Sequence, residues 1–490
     1  WNPAGLLQLE RPEASIVYRF SRDRATHTSG DPDFGVGEDE SESDNLNYFS
    51  IAYPFFVGPL NRNMVISLNH QEAYDFTQRF TADLSQGSSS KAGDAKTETY
   101  EGEQVDTIQD SEFDVTVTSH LTTDVRNTFD QVMNSELLSD LEFRQRGVLS
   151  AVTPALAVEV TPKLWVGAAL NYYTTDPVEG GNIRSVTRAR YKGRTSGGAE
   201  IFSERTTTGT YEYEGIVHLP PGGVIPIPID VPISGSGDIE PFSESSTSDR
   251  NDLVDVEGLY EEINTFEDLE GFNGTFGAIY TVNRLLSLGA TVDLPWTAEG
   301  RQEKIVRNRV TTTDAGGRVL NETADEEVTR KDVEFRFPTY IALGAVLRWT
   351  SFFYTTVDIS QTRWSEFSFR AEGEERINPL DGSPHSENPL DDCWSARAGA
   401  EYLWVTRRTE IPLRCGFGWE ERPAVGAPDE YFSASVGSGL SLGREPARAF
   451  LDVAYIYTWA DGVGGIVPEQ ASLSSDVEEH QVYISLIKHL

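Results

Sequence analysis

Residues 396–405 read ARAGAEYLWV, and their character alternates at every second position. The apolar and aromatic positions are the even ones, Ala398, Ala400, Tyr402 and Trp404. The odd positions include Arg397, Gly399 and Glu401, which are polar or small. A side-chain period of two belongs to a β-strand whose two faces meet different surroundings. The stretch therefore predicts a strand with one apolar and one polar face.

The same alternation recurs in segments 286–296, 353–360 and 411–419. No stretch approaches eighteen consecutive apolar residues, which excludes a helical membrane span. A membrane-spanning strand needs only about ten residues, with every second one facing lipid. Tryptophans gather near the ends of the predicted strands, as the aromatic girdles of a membrane barrel would; they are Trp165, Trp296, Trp349, Trp404, Trp419 and Trp459.

Short and long connections alternate along the chain. The short ones lie near 59–62, 161–163, 281–284, 349–351, 406–409 and 443–446. The long ones are 23–45, 81–141, 177–271, 298–332, 370–392, 421–429 and 461–476. Six short turns join twelve strands, and strands at 13–22 and 477–490 bring the number to fourteen. An even strand number with both chain ends on the short-turn side is typical of single-chain bacterial barrels.

The predicted fold is therefore all-β. Residues 13–490 form a fourteen-stranded antiparallel transmembrane β-barrel with short periplasmic turns and long extracellular loops.

The charge is strongly negative, with 78 acidic and 40 basic residues and a net charge of -38. A nucleic-acid partner would need a basic surface, so none is expected. Residues 31–44 carry only acidic charges, and the excess lies mainly in the long loops. Two explanations stay open: a solvated, self-repelling outer surface, or divalent cations such as Ca²⁺ held at the acidic loops.

Motifs of enzyme chemistry are missing from the sequence. It contains no GxSxG elbow, P-loop, HExxH or dinucleotide-binding fingerprint. Ser67 and His70 are three residues apart on a predicted strand and would face opposite sides. We therefore expect no catalytic residues, no metal site and no cofactor.

The N-terminal residues Asn2, Pro3 and Ala4 resemble a segment of the FadL-type family of outer-membrane transporters for long-chain fatty acids and other hydrophobic compounds. Segments 160–173, 274–296 and 397–404 also look like the strand–turn–strand segments of that family. The resemblance implies that residues 1–12 are the remnant of an N-terminal hatch in the lumen. It also implies a location in the outer membrane, among lipid and lipopolysaccharide.

The third predicted strand has an outward apolar phase at Met64, Ile66 and Leu68. Continuing that phase would put His70 and Glu72 in lipid, where a charge costs on the order of a few kcal/mol. Either the strand has left the hydrocarbon by then, or its phase slips at Asn69 and His70 through a bulge or kink. The family resemblance implies a kinked third strand that opens a side exit into the bilayer.

Three apolar segments lie in the long loops. Segments 127–141 and 258–269 place apolar residues at helical spacing and predict short loop helices, while prolines in 219–233 forbid regular structure. The candidate ligand-binding residues are Phe129, Val132, Met133, Leu137, Ile225, Ile227, Leu259, Ile263 and Phe266. Such helices could cap the barrel, or they could form an apolar groove where a hydrophobic ligand docks.

The sequence thus favours passive transport of small hydrophobic molecules, of the long-chain fatty acid or hydrocarbon class, with a lateral exit near the third strand. The alternative is a barrel scaffold that binds a surface protein or secretion-system partner through its long loops, since a fold does not fix a function. A continuous apolar path through the lumen would distinguish the transporter from the scaffold.

Overall fold

A computed structural model describes residues 2–31, 34–58, 61–109, 113–175, 182–219, 229–387, 389–406, 409–442, 449–464 and 473–490. Its strands are β1 Glu13–Ser29, β2 Phe34–Val36, β3 Glu38–Val57, β4 Arg62–Asp75, β5 Gln78–Gln109, β6 Phe113–Arg146, β7 Val148–Thr161, β8 Leu164–Thr175, β9 Ile183–Leu219, β10 Ile229–Thr281, β11 Leu286–Asp293, β12 Trp296–Asp314, β13 Val319–Phe337, β14 Tyr340–Arg348, β15 Phe353–Thr362, β16 Ser368–Ala371, β17 Cys393–Val405, β18 Glu410–Arg422, β19 Asp429–Leu442, β20 Ala449–Val463 and β21 Leu473–His489. Two short 3-10 helices, Pro3–Gln8 and Trp364–Glu366, complete the regular structure of the described residues. None of their helices is long and apolar enough to cross a membrane.

Fourteen of the strands form a closed antiparallel barrel, which confirms the predicted architecture. Their order around the barrel is β1, β3, β4, β7, β8, β10, β11, β14, β15, β17, β18, β19, β20 and β21. The ring closes because β21 pairs with β1, from Glu13 opposite His489 to Ser29 opposite Leu473. Closure leaves the barrel wall without an open edge.

The two faces of the barrel wall differ as the alternation predicts. Large apolar side chains point outward and stay exposed, among them Phe272, Phe276, Leu343, Phe417, Val436 and Trp404. Inward positions are polar or small; Glu401 in β17, for example, accepts a hydrogen bond from Arg414 Nε at 2.7 Å. The exposed side chains form an outward apolar band around the barrel, much larger than the apolar patches of soluble monomers.

The long connections are mostly strand rather than loop. Above one end of the barrel β2, β5, β6, β9, β10, β12, β13 and β16 pair side by side as an open sheet. Nearly every side chain of 85–107 is exposed, so this part of the sheet has no core. Ladder hydrogen bonds and cross-strand pairs hold it, as where Arg194 Nε lies 2.7 Å from Asp255 Oδ1.

The predicted loop helices at 127–141 and 258–269 are wrong, because both segments are strands, within β6 and β10. Helical spacing of a few apolar residues is a local signal, whereas β6 is fixed by distant partners, β5 on one side and β9 on the other. Ile225 and Ile227 lie outside the described residues.

The hairpin β5–β6 should be dispensable for barrel formation, because its upper part contacts only neighbouring strands of the open sheet. Replacing residues 87–136 with a two-residue Asn-Gly turn would rejoin Gln86 and Leu137, which face each other in the ladder. We expect the shortened protein to keep the heat-dependent gel mobility of a folded barrel. Loss of that mobility shift would contradict an independently stable barrel.

Candidate functional site

The inner wall of the barrel changes character in layers. Successive inward positions of β8 are Gly167, Ala169, Asn171 and Tyr173, so small residues give way to an amide and then to an aromatic ring. At the height of Tyr173 the neighbouring strands carry small residues, Ala151 of β7 and Gly271 of β10. The lumen has three layers: an aromatic vestibule below the open sheet, a polar belt and a layer of N-terminal residues.

The aromatic vestibule consists of Tyr74, Tyr173, Trp296, Phe337 and Phe367. Trp296 lies between two rings, with centroids 3.9 Å from Tyr173 and 4.4 Å from Phe337 and nearly parallel planes. Phe337 also contacts Tyr74 at 4.8 Å and Phe367 at 5.6 Å. Offset and edge-on ring pairs add about 0.5–1.5 kcal/mol each beyond burial of area. The vestibule is thus a packed aromatic cluster at the mouth of the lumen, and its central rings, Tyr173, Trp296 and Phe337, are almost fully buried.

Trp296 was predicted to belong to an aromatic girdle, and that assignment is wrong. Its side chain is 5% exposed and points inward, because the chain leaves the barrel wall after β11 and β12 pairs with β13 in the open sheet. Sequence position alone could not separate it from Trp404, which is 54% exposed on the outward face. The difference in exposure between Trp296 and Trp404 depends on which strands pair, and a local sequence pattern does not show that pairing.

The candidate ligand residues divide between the two faces of the open sheet. Phe266 packs against the vestibule cluster, with its ring 5.3 Å from Phe335. Leu137 shares this lumen-side face, since a Cβ on Gly193 would lie 3.4 Å from Leu137 Cδ1 and 3.9 Å from Val256. The odd positions Phe129 and Met133 of β6 follow Leu137 on that face.

Val132, Leu259 and Ile263 lie on the opposite face. Leu259 pairs with Arg190 and Ile263 pairs with Val186. Both are odd-numbered positions of β10, whereas the lumen-side residue Phe266 is even-numbered, so their side chains point the other way. The helical prediction placed Leu259, Ile263 and Phe266 on one face, but in a strand successive residues point to opposite faces. The lumen-side set is therefore Phe129, Met133, Leu137 and Phe266.

Below the vestibule, Asn69 and Asn171 organise a polar belt. Asn69 Oδ1 accepts hydrogen bonds from the hydroxyls of Ser50 at 2.7 Å and Tyr48 at 3.1 Å, and Asn69 Nδ2 donates to the Thr153 carbonyl at 3.0 Å. The hydroxyl of Thr153 donates to Asn171 Oδ1 at 2.8 Å. Both amides are almost fully buried and hydrogen-bonded.

The belt continues across the next strand. Asn171 Nδ2 donates to Asn273 Oδ1 at 2.5 Å and to Thr275 Oγ1 at 2.9 Å. Asn273 Nδ2 in turn donates to the Leu294 carbonyl at 2.9 Å. Side chains of β3, β4, β7, β8 and β10 are thus joined in one chain of hydrogen bonds around the apolar side of the lumen.

The predicted hatch residues lie in the lumen, against its inner wall. Asn2 Nδ2 donates to the carbonyls of Ala278 at 3.2 Å and Ala290 at 3.0 Å, which ties the N-terminus to β10 and β11. Asn2 Oδ1 accepts from the Ala4 amide at 3.0 Å and caps the short helix Pro3–Gln8. Leu6 of that helix packs among small wall residues: Ala52, Val65, Ala155, Ala157 and Ala169.

Two wall glycines make room for the hatch. A Cβ on Gly167 would lie 2.5 Å from the Ala4 amide nitrogen, and one on Gly277 would lie 2.1 Å from Asn2 Oδ1. Pro3 lies against both positions. A Cβ atom at either position would overlap residues 2–4, so the N-terminal segment can take this position only because both wall residues are glycines.

The phase slip predicted at Asn69 and His70 is misplaced. β4 keeps a regular register with β7 from Met64 through Glu72, and the shift comes between Glu72 and Tyr74. Asn69 stays on the lumen side because the belt holds it. Neither ring nitrogen of His70, both buried, has a hydrogen-bond partner among the described residues.

A gap in the hydrogen-bonded ladder of the barrel wall lies one strand further on, between β7 and β8. β7 and β8 pair at Val152 and again at Ala155, but no ladder pair forms at Thr153 or Pro154. Proline has no N–H to donate, which explains the gap. Pro154 is exposed on the outward face and lies opposite Leu68 of the third barrel strand, β4. The side-chain bond from Thr153 to Asn171 bridges the gap on the inside.

The other side of the lumen is charged. Arg19 Nη2 lies 2.7 Å from Glu72 Oε1 and 2.5 Å from Asp75 Oδ2. Burial, with the nearby Glu479, raises the pKa of Asp23 to about 6.

A second charged group lies on β18 to β21. Arg422 donates to the carboxylates of Glu479 and Glu420, and its guanidinium carbon lies 3.9 Å over the ring of Tyr431. No group of three or more potential metal ligands occurs in the part of the chain that the structure describes. Residues 31–44, where cations were one explanation of the charge, instead pair in part with arginines; Glu40 contacts Arg22.

No family model and no curated protein matches the sequence. Among solved structures, the chain is similar to a Pseudomonas aeruginosa FadL homologue, with 12% identity, a TM-score of 0.49 and coverage of 100% of this chain and 92% of that one. It is also similar to the P. putida toluene transporter TodX, with 12% identity, a TM-score of 0.43 and coverage of 99% and 92%. The monoaromatic hydrocarbon channel CymD matches with 11% identity, a TM-score of 0.43 and coverage of 100% and 91%. At such identities and TM-scores these likenesses carry no conclusion about the ligand of this chain.

The fit between hatch and wall predicts the effect of adding a methyl group at Gly167. In Gly167→Ala the new Cβ overlaps the backbone of Pro3 and Ala4, at a cost of about 1–3 kcal/mol unless the hatch moves. We expect the displaced hatch to raise single-channel conductance in planar bilayers. Gly344→Ala is the matched control, since its Cβ would have its nearest neighbour at 3.6 Å. Equal conductance of both variants and the wild type would argue against a hatch that closes the lumen.

Proposed function

We propose that the chain is an outer-membrane barrel for passive passage of small hydrophobic molecules. The observation that carries the proposal is the aromatic vestibule, an apolar surface placed directly between the lumen-side face of the open sheet and the polar belt. The outward apolar band supports placement in a bilayer, with the polar and small side chains turned inward. The long hairpins would then lie outside the cell and the short turns in the periplasm.

A hydrophobic molecule first meets the open sheet. Its lumen-side face carries Phe129, Met133 and Leu137, which are each at least 36% exposed and leave apolar surface for a ligand. Phe266 connects this face to the vestibule through Phe335. Each step needs only burial of apolar area, worth about 25 cal/mol per Å², and no energy source.

The ligand class is a long-chain fatty acid or a hydrocarbon. Aromatic rings and aliphatic chains both suit the five vestibule side chains, none of which is charged. A fatty acid would also need a partner for its carboxylate, and Arg19 is already engaged with Glu72 and Asp75. Uptake measured with an uncharged aromatic hydrocarbon and with a fatty acid separates the two classes.

The exit we propose is lateral, through the wall at Pro154. Here β7 and β8 lack two ladder pairs, so opening breaks fewer backbone hydrogen bonds than elsewhere. The polar belt and the hatch below it obstruct passage straight through the lumen. A hydrophobic molecule that turns aside at the belt reaches the bilayer beside Leu68, which is 54% exposed.

A scaffold that binds another surface protein is the second candidate, because the open sheet ends in unpaired strand edges. Apart from its short pairing with β2, β5 has β6 as its one ladder partner among the described strands. Residues 319–332 of β13 likewise pair with β12 alone. Exposed edges pair readily with other strands. Normal uptake by the variant shortened at 87–136, with loss of a surface partner, would favour this role for the hairpin.

Trp296 should contribute to ligand affinity through its stacked position. Trp296→Leu keeps apolar volume but removes two ring contacts, so we expect binding of an aromatic hydrocarbon to weaken about threefold to tenfold and uptake to fall with it. Trp404→Leu, on the outward face, should leave both unchanged. The measurements are ligand binding to purified protein and uptake into liposomes. If both variants behave alike, the vestibule is not the binding surface.

Closing the gap at Pro154 should separate binding from exit. Pro154→Val supplies the missing N–H and a residue suited to strands, so the β7–β8 ladder can become continuous. We expect unchanged ligand binding and several-fold slower uptake. Pro412→Val is a control at another barrel strand, where Pro412 pairs with Leu403 within an unbroken register. Undiminished uptake by Pro154→Val would rule out exit at this position.

A further inference from the structure

A cleft of about 510 Å³ opens where β3 passes the base of the β5–β6 hairpin. Arg79, Arg144 and Arg146 line one side of it, and Glu40 and Glu42 line the other. Three arginines in one cleft are unexpected in a chain with a net charge of -38. Their guanidinium groups offer several donors in a geometry that suits phosphate.

The arginines point away from the lumen. Arg79 pairs with Arg144 in the ladder, so both side chains lie on the same face. The intervening position, Phe80 opposite Phe143, belongs to the other face, where Phe80 contacts His27 at 5.1 Å. Arg146 pairs in turn with Arg184 on β9, which extends the same basic surface.

The cleft begins immediately above the outward apolar band. Phe20, which is 45% exposed, and Arg22 are successive outward positions of β1, roughly 7 Å apart along the strand. Arg22 pairs with both Glu40 and Glu42, so the two carboxylates of the cleft already have a cationic partner. Residues at this height would meet the headgroups of the surrounding leaflet.

Part of the positive charge is uncommitted. Arg144 pairs with Glu142, and Arg79 lies 3.6 Å from the same carboxylate. Arg146 and Arg184 are exposed and have no ion pair among the described residues. Arg146 and Arg184 can therefore contact a ligand phosphate without breaking an existing pair, whereas Arg79 and Arg144 would share their charge with Glu142.

We propose that this cleft binds the phosphorylated headgroup of an outer-leaflet glycolipid of the lipopolysaccharide class. The arginines would contact its phosphates while its acyl chains lie against the apolar band beside Phe20 and Phe49. Basic residues near a membrane surface strengthen the binding of anionic lipids. The inference rests on the bilayer placement of the barrel proposed above, and it concerns the rim of the barrel rather than the path of the transported molecule.

The test compares two triple variants in nanodiscs that contain phosphorylated lipid A. Arg79→Gln/Arg144→Gln/Arg146→Gln removes the cleft arginines, and Lys91→Gln/Lys96→Gln/Arg126→Gln removes the same charge from the distal hairpin. Bound lipid A per barrel is measured by native mass spectrometry. We expect at least a tenfold loss of affinity in the first variant and none in the second. Equal losses in both, or none in either, would overturn the proposal.

Two further experiments test whether the bound phosphate belongs to a lipid and whether the cleft is independent of transport. Inorganic phosphate at millimolar concentration should fail to displace the lipid; displacement would identify an ion site and refute a lipid site. Uptake of an aromatic hydrocarbon into liposomes without lipid A should be equal for the wild type and the cleft variant. Heat-dependent gel mobility verifies that each variant has folded. Failure of uptake in all proteins would count against the transport proposal alone.

Discussion

The pairing of β21 with β1 is the constraint on which the rest of the structure depends. In hydrocarbon an unpaired backbone group costs several kcal/mol, so a spanning sheet must close on itself. Once closed, every strand has a lipid side and a lumen side, and alternate residues must satisfy two opposite solvents. The pattern of 396–405 follows from that requirement: Trp404 meets the outside, while Glu401 finds Arg414 within. Closure therefore connects the sequence alternation to the polarity of the wall.

This is also why the barrel could be predicted from sequence and the open sheet above it could not. Alternation and turn spacing are local signals, and they indicated fourteen strands. The hairpin strands carry no such signal, because both of their faces are largely exposed and polar, as 85–107 illustrates. Their structure comes from partners far along the chain, such as Phe129 opposite Ile201. Apolar residues at helical spacing led to the wrong prediction of loop helices at 127–141 and 258–269. The register of the strands is needed to tell which candidate ligand residues face the lumen. Trp296 was misassigned for the same reason.

The lumen combines two chemically different walls. The wall formed by β4, β7, β8 and β10 is apolar above and hydrogen-bonded at mid-height, with Asn69 and Asn171 fully satisfied by neighbours. The wall formed by β1 and β18–β21 carries paired charges, such as Arg422 with Glu479, and Arg19 of β1 also pairs with Glu72 at the upper end of β4. The N-terminal segment lies against the wall at Gly167 and Gly277, where the missing side chains permit close backbone approach.

The same closure that stabilises the barrel makes the gap at Pro154 informative. A proline in a central strand forfeits a ladder bond that lipid cannot replace, so Pro154 requires compensation from another group. Thr153 provides part of it from the inside by donating to Asn171, which is itself held by Asn273 and Thr275. The polar belt therefore bridges the gap at Pro154 from the lumen side, below the aromatic vestibule.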